Sequence, residues 1–127
     1  MRTQTLQNIF IAAPTLSQYA AIAALKESHS IEAMRLAYDE RRKYLLRELP
    51  KLGFEIVVEP QGAFYIYANV ERITDDSRTF CWQLLEEKGV AVTPGEDFGS
   101  YKSAAHVRFS YATSMGNLQK GIARLST

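Results

Sequence analysis

The sequence holds a single cysteine, Cys81, in 127 residues. That excludes an intrachain disulfide and any cysteine-rich metal cluster. Only two histidines occur, His29 and His106, far apart in the chain. Neither stands at metal-ligand spacing from acidic residues, so no metal site is expected. An excess of one charge is also missing: 15 Lys and Arg against 14 Asp and Glu leave a net charge of +1. No broad field is left to hold nucleic acid or an anionic membrane surface. Long apolar runs are absent as well. The stretch between Arg2 and Lys26 is uncharged, but Gln4, Gln7, Asn8, Ser17 and Gln18 interrupt it. Its unbroken apolar core, Ile9 to Ala13, is too short for an export signal or a spanning helix. These absences point to the cytoplasm.

What is present is a globular composition, 46% hydrophobic and 11% aromatic, enough for the core of one domain. Leu16 to Leu25 reads as a helix after Pro14-Thr15, rich in Ala20, Ala21, Ala23 and Ala24. Ser30 stands where it can cap a second helix, in which Ile31, Met34, Tyr38, Leu45 and Leu49 recur at helical spacing. That helix spans Ile31 to Leu49 and ends near Pro50 and Gly53. Its Glu40, Arg41, Arg42, Lys43 and Arg47 read as a solvated charged face and not as a phosphate site. Phe54 to Glu59 and Ala63 to Ala68 read as two strands of an antiparallel hairpin turning at Pro60-Gln61-Gly62. Asp75 and Asp76 offer caps for a helix through Lys88, stopped by Gly89. Val90 to Thr93 is a short strand, Pro94-Gly95 a turn, and His106 to Tyr111 a main strand. Ser114 caps a last helix carrying Leu118, Ile122 and Leu125. This order predicts an α+β fold of two layers, with helices packed on one face of a small, mainly antiparallel sheet. No Gly-rich phosphate turn follows a strand, which argues against a doubly wound nucleotide fold.

Few residues in this frame can carry chemistry. Cys81 lies beside Phe80 on an apolar helix face, as a small hydrophobe and not a nucleophile. Ser110 shares a strand face with His106 and Arg108, but no acid is placed to orient the histidine, so no triad forms. Arg108 stands apart. A guanidinium in the middle of an apolar strand is costly unless it reaches solvent or meets an anion, and its planar fork suits a carboxylate. Two occupants fit that description: an acid of the protein, such as Glu55, Glu59 or Glu96, or the carboxylate of a ligand. The loop Pro94 to Gly99 is likewise either a plain connection or a backbone lip around a ligand.

Three blocks then combine: Pro60-x-Gly62-Ala63-Phe64-Tyr65, Gly89-Val90-Ala91-Val92-x-Pro94-Gly95-x-x-Phe98-Gly99, and Val107-Arg108-Phe109-Ser110-Tyr111-Ala112. In this order they resemble the C-terminal small domain of class I/II pyridoxal-phosphate-dependent aminotransferases of fold type I, aspartate-aminotransferase-like. Upstream, Gln7-Asn8-Ile9-Phe10-Ile11 and Ala13-Pro14-Thr15-x-Ser17-Gln18 resemble the stretch leading into that family's long interdomain helix. The resemblance implies that residues 1–29 lead from a large domain into the interdomain helix and that residues 30–127 form the small domain. It implies transfer of an amino group between an amino acid and a 2-oxo acid, with pyridoxal phosphate as cofactor of a full-length, homodimeric enzyme. The resemblance further implies that Arg108, at the matching position, binds the substrate α-carboxylate and that Gly62, Phe64, Pro94 and Gly95 border the active site. One departure is Tyr101 to Ala105, standing where the family often has a further glycine.

The family's Schiff-base lysine, pyridinium aspartate and phosphate cup belong to the large domain. The six lysines here, Lys26, Lys43, Lys51, Lys88, Lys102 and Lys120, lie in no such motif. The chain alone is therefore expected to bind no cofactor and to be inactive. A β-lyase or synthase built on the same domain, or an orphan domain that binds amino acids or a protein without catalysis, are the other readings. The Ala-rich first helix and Ile9-Phe10-Ile11 are expected to present apolar surface to the large domain or a partner subunit.

Overall fold

The computed structural model describes residues 13–127; the expectations resting on Gln7 to Ile11 lie outside the described residues. Contacts divide the chain into two units, Met1–Arg35 and Leu36–Thr127. In the first, helix α1 (Thr15–Lys26) follows Pro14, and Gln18 turns its side-chain amide back to donate to the Ala13 carbonyl at 2.6 Å. None of its side chains is buried, and Leu16, Tyr19, Ile22 and Leu25 stand exposed. Helix α2 runs Ser28–Glu48. It starts ahead of the expected cap, so Ser30 lies inside its first turn.

In the second unit α2 reaches its apolar contacts. Leu45 and Leu49 are buried, and the helix tightens into a 3-10 turn, Leu49–Leu52, because Pro50 has no amide hydrogen to continue the ladder. Gly53 ends it at φ 90°, the left-handed conformation that a residue without Cβ adopts without strain. Three strands follow: β1 (Tyr65–Asn69), β2 (Thr93–Pro94) and β3 (His106–Ser110), antiparallel throughout, in the order β1-β3-β2. Helix α3 (Ser77–Lys88) is capped by the Asp76 carboxylate, which accepts from the amides of Arg78 and Thr79, and Gly89 closes it at φ 61°. Helix α4 (Met115–Leu125) is capped by Ser114. The sheet's apolar face, Ile66 and Ala68 with Val107 and Phe109, meets Leu45, Leu49, Phe54, Cys81, Tyr111 and Leu118 in one core. The two-layer α+β architecture is the one expected: in the second unit the end of α2, α3 and α4 pack with a small antiparallel sheet.

The hairpin is a correction. Phe54 to Glu59 forms no strand; it touches β1 through one isolated bridge, Glu55 with Asn69, and the partner of β1 is β3. Two features pull the segment away. Arg42 on α2 donates to Glu59 at 3.0 Å and to the Pro60 carbonyl at 2.9 Å, and the turn that follows places Ala63 at φ 66°, off the strand conformation. Val57 and Val58 are consequently exposed. The second short strand also shifts, from Val90–Thr93 to Thr93–Pro94, since the amide of Val90 is held by the Leu84 carbonyl at the end of α3.

Candidate functional site

Alternation along the strands sorts the sheet into two faces. Opposite the core stand Tyr65 and Tyr67 of β1 with His106, Arg108 and Ser110 of β3. Register places Tyr67 beside Arg108 on one side and Thr93 beside it on the other. Arg108 is thus the centre of the open face, on the central strand.

The ring of Phe98 reaches over this face from a 3-10 turn, Gly95–Phe98, that leaves β2. The Arg108 guanidinium carbon lies 4.4 Å from the Phe98 centroid and 5.5 Å from that of Tyr65, within cation–π range of both. Phe98 meets Tyr67 edge-on at 6.4 Å. His106 stacks flat on Tyr67, with centroids 4.9 Å apart, and its Nδ1 sits 2.8 Å from the Lys102 carbonyl, which places the hydrogen on Nδ1. Burial pushes the Tyr67 phenol above its ordinary value and keeps it protonated.

The polar environment of Arg108 is sparse. Its Nη2 donates to Thr93 Oγ1 at 3.4 Å, at the limit of a hydrogen bond, and its Nε is buried with no partner. The acids that stood as internal counter-ions are elsewhere: Glu96 pairs with Arg78 at 2.7 Å, Glu59 with Arg42 at 3.0 Å, and Glu55 bridges its backbone to Asn69. Among the described residues no carboxylate pairs with Arg108. Beside it opens a recess of about 610 Å³, lined by Tyr65, Tyr67, Phe98, Tyr101 and Arg108 with small residues between them.

The other expected residues fall into two places. Pro94 and Gly95 form the base of the Phe98 turn: Pro94 pairs with Val107, and Gly95 is buried so closely that an added Cβ would meet the Tyr67 hydroxyl at 2.5 Å, the His106 carbonyl at 2.8 Å and the Ser103 carbonyl. Gly62 and Phe64 sit in the turn before β1, where the Tyr111 hydroxyl, itself buried, donates to the carbonyls of Gly62 and Ala63 at 3.2 Å each. They lie outside the residues that line the recess. Sequence reasoning missed Tyr65, Tyr67, Thr93 and Phe98 as neighbours of Arg108. For the two tyrosines the signal was parity: once β1 pairs with β3 in this register, the odd residues of β1 share the face of Arg108. Cys81 is buried, and burial raises its thiol to about 11, which suppresses the thiolate. Among the described residues no group of three His, Cys, Asp or Glu could hold a metal ion, and no helix is long and apolar enough to cross a membrane.

The sequence matches the family described as aminotransferase class I and II over residues 2–125. The chain belongs to this family. It is 43% identical over 121 residues to the (5-formylfuran-3-yl)methyl phosphate transaminase of Methanocaldococcus jannaschii, covering 94% of this chain and 31% of that protein. It is 36% identical over 122 residues to the valine–pyruvate aminotransferase of Mycobacterium tuberculosis, again 94% of this chain and 31% of the other. Its fold matches the crystal structure of the aspartate aminotransferase from Thermotoga maritima with a TM-score of 0.76 and 38% identity, over 90% of this chain and 28% of that one. The chain spans about a third or less of the length of these relatives. Membership of the aminotransferases implies pyridoxal phosphate as cofactor of full-length members. The residues around Arg108 do not themselves fit that group, since no lysine lines the recess and Arg108 is its one cation, whereas anchoring an aldehyde covalently takes an amine. Their chemistry fits a small carboxylate.

Proposed function

We propose that the chain is the small domain of an aminotransferase that moves an amino group between an amino acid and a 2-oxo acid, with Arg108 holding the substrate α-carboxylate. One observation carries the assignment: a half-buried guanidinium with an unpartnered buried Nε opens on a solvent-accessible recess. An arginine in that state is desolvated without being neutralised, and a carboxylate entering the recess to accept from the guanidinium supplies the missing counter-charge. The aromatic rings around it lower the local polarity and strengthen the ion pair. Gly62, Phe64, Pro94 and Gly95 border the site by shaping the two turns that flank the recess.

In this reading residues 1–29 lead from a large domain, residues 30–127 are the small domain, and the exposed apolar residues of α1 face that large domain or the second subunit of a homodimer. The large domain supplies the cofactor lysine, so the 127-residue chain alone is inactive and binds no pyridoxal phosphate specifically. The compartment is the cytoplasm. The decisive experiment grafts this chain in place of the equivalent segment of the Thermotoga maritima aspartate aminotransferase and compares Arg108 with Arg108→Gln. Loss of charge-assisted hydrogen bonds of about 1.5–3 kcal/mol raises KM for amino acid and oxo acid alike by roughly 10- to 100-fold. Unchanged KM values overturn the assignment. A saturable adduct that borohydride fixes on one lysine of the ungrafted chain overturns its inactivity.

A further inference from the structure

Arg108 is tethered weakly for a group that has to meet a ligand in one geometry. One long hydrogen bond to Thr93 holds Nη2 and none holds Nε, and a free arginine side chain has several rotatable bonds to order on binding. The atoms closest to fixing the guanidinium plane belong to Phe98, whose centroid is 4.4 Å from Cζ. Phe98 is 49% exposed, so its own burial does not pin it; the turn beneath it does. Gly95, three residues before, is wedged against Tyr67 and the carbonyls of Ser103 and His106. The two residues between, Glu96 and Asp97, both reach Arg78 in the first turn of α3, at 2.7 Å and 3.5 Å. A single exposed ion pair contributes little. Here two consecutive acids share one guanidinium and the next residue carries the ring, so the clasp fixes the direction in which that ring points.

We infer that Phe98 is a positioning residue for Arg108, holding its guanidinium in the recess and shielding it from water, and that Arg78 acts through Glu96 and Asp97 to keep the ring in place. The inference rests on the carboxylate reading of Arg108. Losing the ring releases one rotamer-rich side chain, which corresponds to about a 3- to 10-fold weaker carboxylate affinity. It also admits water and counter-ions, so binding becomes more sensitive to salt.

The test is side-chain NMR of the 127-residue protein with pyruvate as probe. In the free protein the Arg108 Nε–H resonance is displaced by the Phe98 ring current; Phe98→Ala removes the displacement and Phe98→Tyr keeps it. On titration, Phe98→Ala binds pyruvate about 3- to 10-fold more weakly with a steeper salt dependence, Phe98→Tyr restores both, and Arg78→Gln weakens binding by about twofold. Arg108→Gln abolishes the interaction. An Arg108 Nε–H resonance that is the same in wild type and Phe98→Ala overturns the inference without any ligand. Pyruvate affinity and salt dependence unchanged in Phe98→Ala, alongside loss in Arg108→Gln, also overturn it while the carboxylate reading stands. Pyruvate binding that survives Arg108→Gln overturns the carboxylate reading instead.

Discussion

Replacing Gly95 by alanine tests the geometry under the recess. The added methyl has no room: its Cβ would lie 2.5 Å from the Tyr67 hydroxyl, 2.8 Å from the His106 carbonyl and against the Ser103 carbonyl. Restoring ordinary contact means retreats of about 0.6 Å at His106 and about 0.9 Å at Tyr67. Two of the three obstacles are backbone, at the head of β3 and in the 3-10 turn Ser103–Ala105, so no side-chain rotation relieves them. Overpacking of this kind costs about 1–3 kcal/mol, which at about 4 °C per kcal/mol for a domain of this size lowers the thermal midpoint by roughly 4–12 °C. The displaced turn also carries Phe98 away from Arg108. Circular dichroism melts of Gly95→Ala beside Gly121→Ala give the measurement. Gly121 lies inside α4 with open space where a Cβ would go, so its replacement stabilises by about 0.5–1 kcal/mol through helix propensity. Melting of Gly95→Ala within a degree of wild type, with the Arg108 side-chain resonance unmoved, refutes the argument that this glycine is required by packing.

Two further outcomes follow from particular contacts. Tyr111→Phe removes the hydroxyl that serves the Gly62 and Ala63 carbonyls and costs about 0.5–1.5 kcal/mol in urea-unfolding free energy, with amide exchange rising in the turn that holds Ala63 at positive φ; an unchanged urea midpoint contradicts it. Asp39 is held at about 2, below its ordinary 3.8, first by the hydrogen bond from Lys43 and then by that from Arg42. Its stabilising effect is therefore complete above about pH 4 and lost as pH falls from there toward 2; the difference in urea midpoint between wild type and Asp39→Asn, constant from pH 5 to 7, closes across that window.

Three of the helices were readable because each carried its own start or stop signal. Asp76, Gly89, Ser114 and the Pro50–Gly53 pair act within one turn of chain, so local propensity and local structure agree. Strand pairing was not local. Phe54 to Glu59 has the right composition and the right neighbour in sequence, but it meets β1 only at Glu55 with Asn69, on the edge away from β3, and beyond that bridge Arg42 anchors Glu59 and Pro60 to α2. Composition contains no term for that long-range tie. Arg108 could be picked out as a charge in an apolar strand, yet its surroundings depended on the register, which alone brings Tyr65 and Tyr67 beside it. The Arg42 tie was hidden for the same reason: a cation in a run of charges reads as solvated until the segment that loops back to it is known.

On the carboxylate reading of Arg108, ion pairing around the sheet explains why the recess stays available. The turn that leaves β2 and carries Phe98 over Arg108 also holds two acids, Glu96 and Asp97; a carboxylate resident on Arg108 would leave little for a substrate to gain. Arg78 occupies both. The clasp therefore has an electrostatic consequence beyond holding Phe98: it turns two negative charges away from the recess and offsets their repulsion of an incoming carboxylate. With Glu59 drawn to Arg42, and Glu55 held through its backbone to Asn69 on the edge of β1 away from β3, each acid the sequence offered as a counter-ion lies elsewhere. The open face keeps its positive charge because the cations on the helices take up the anions around it.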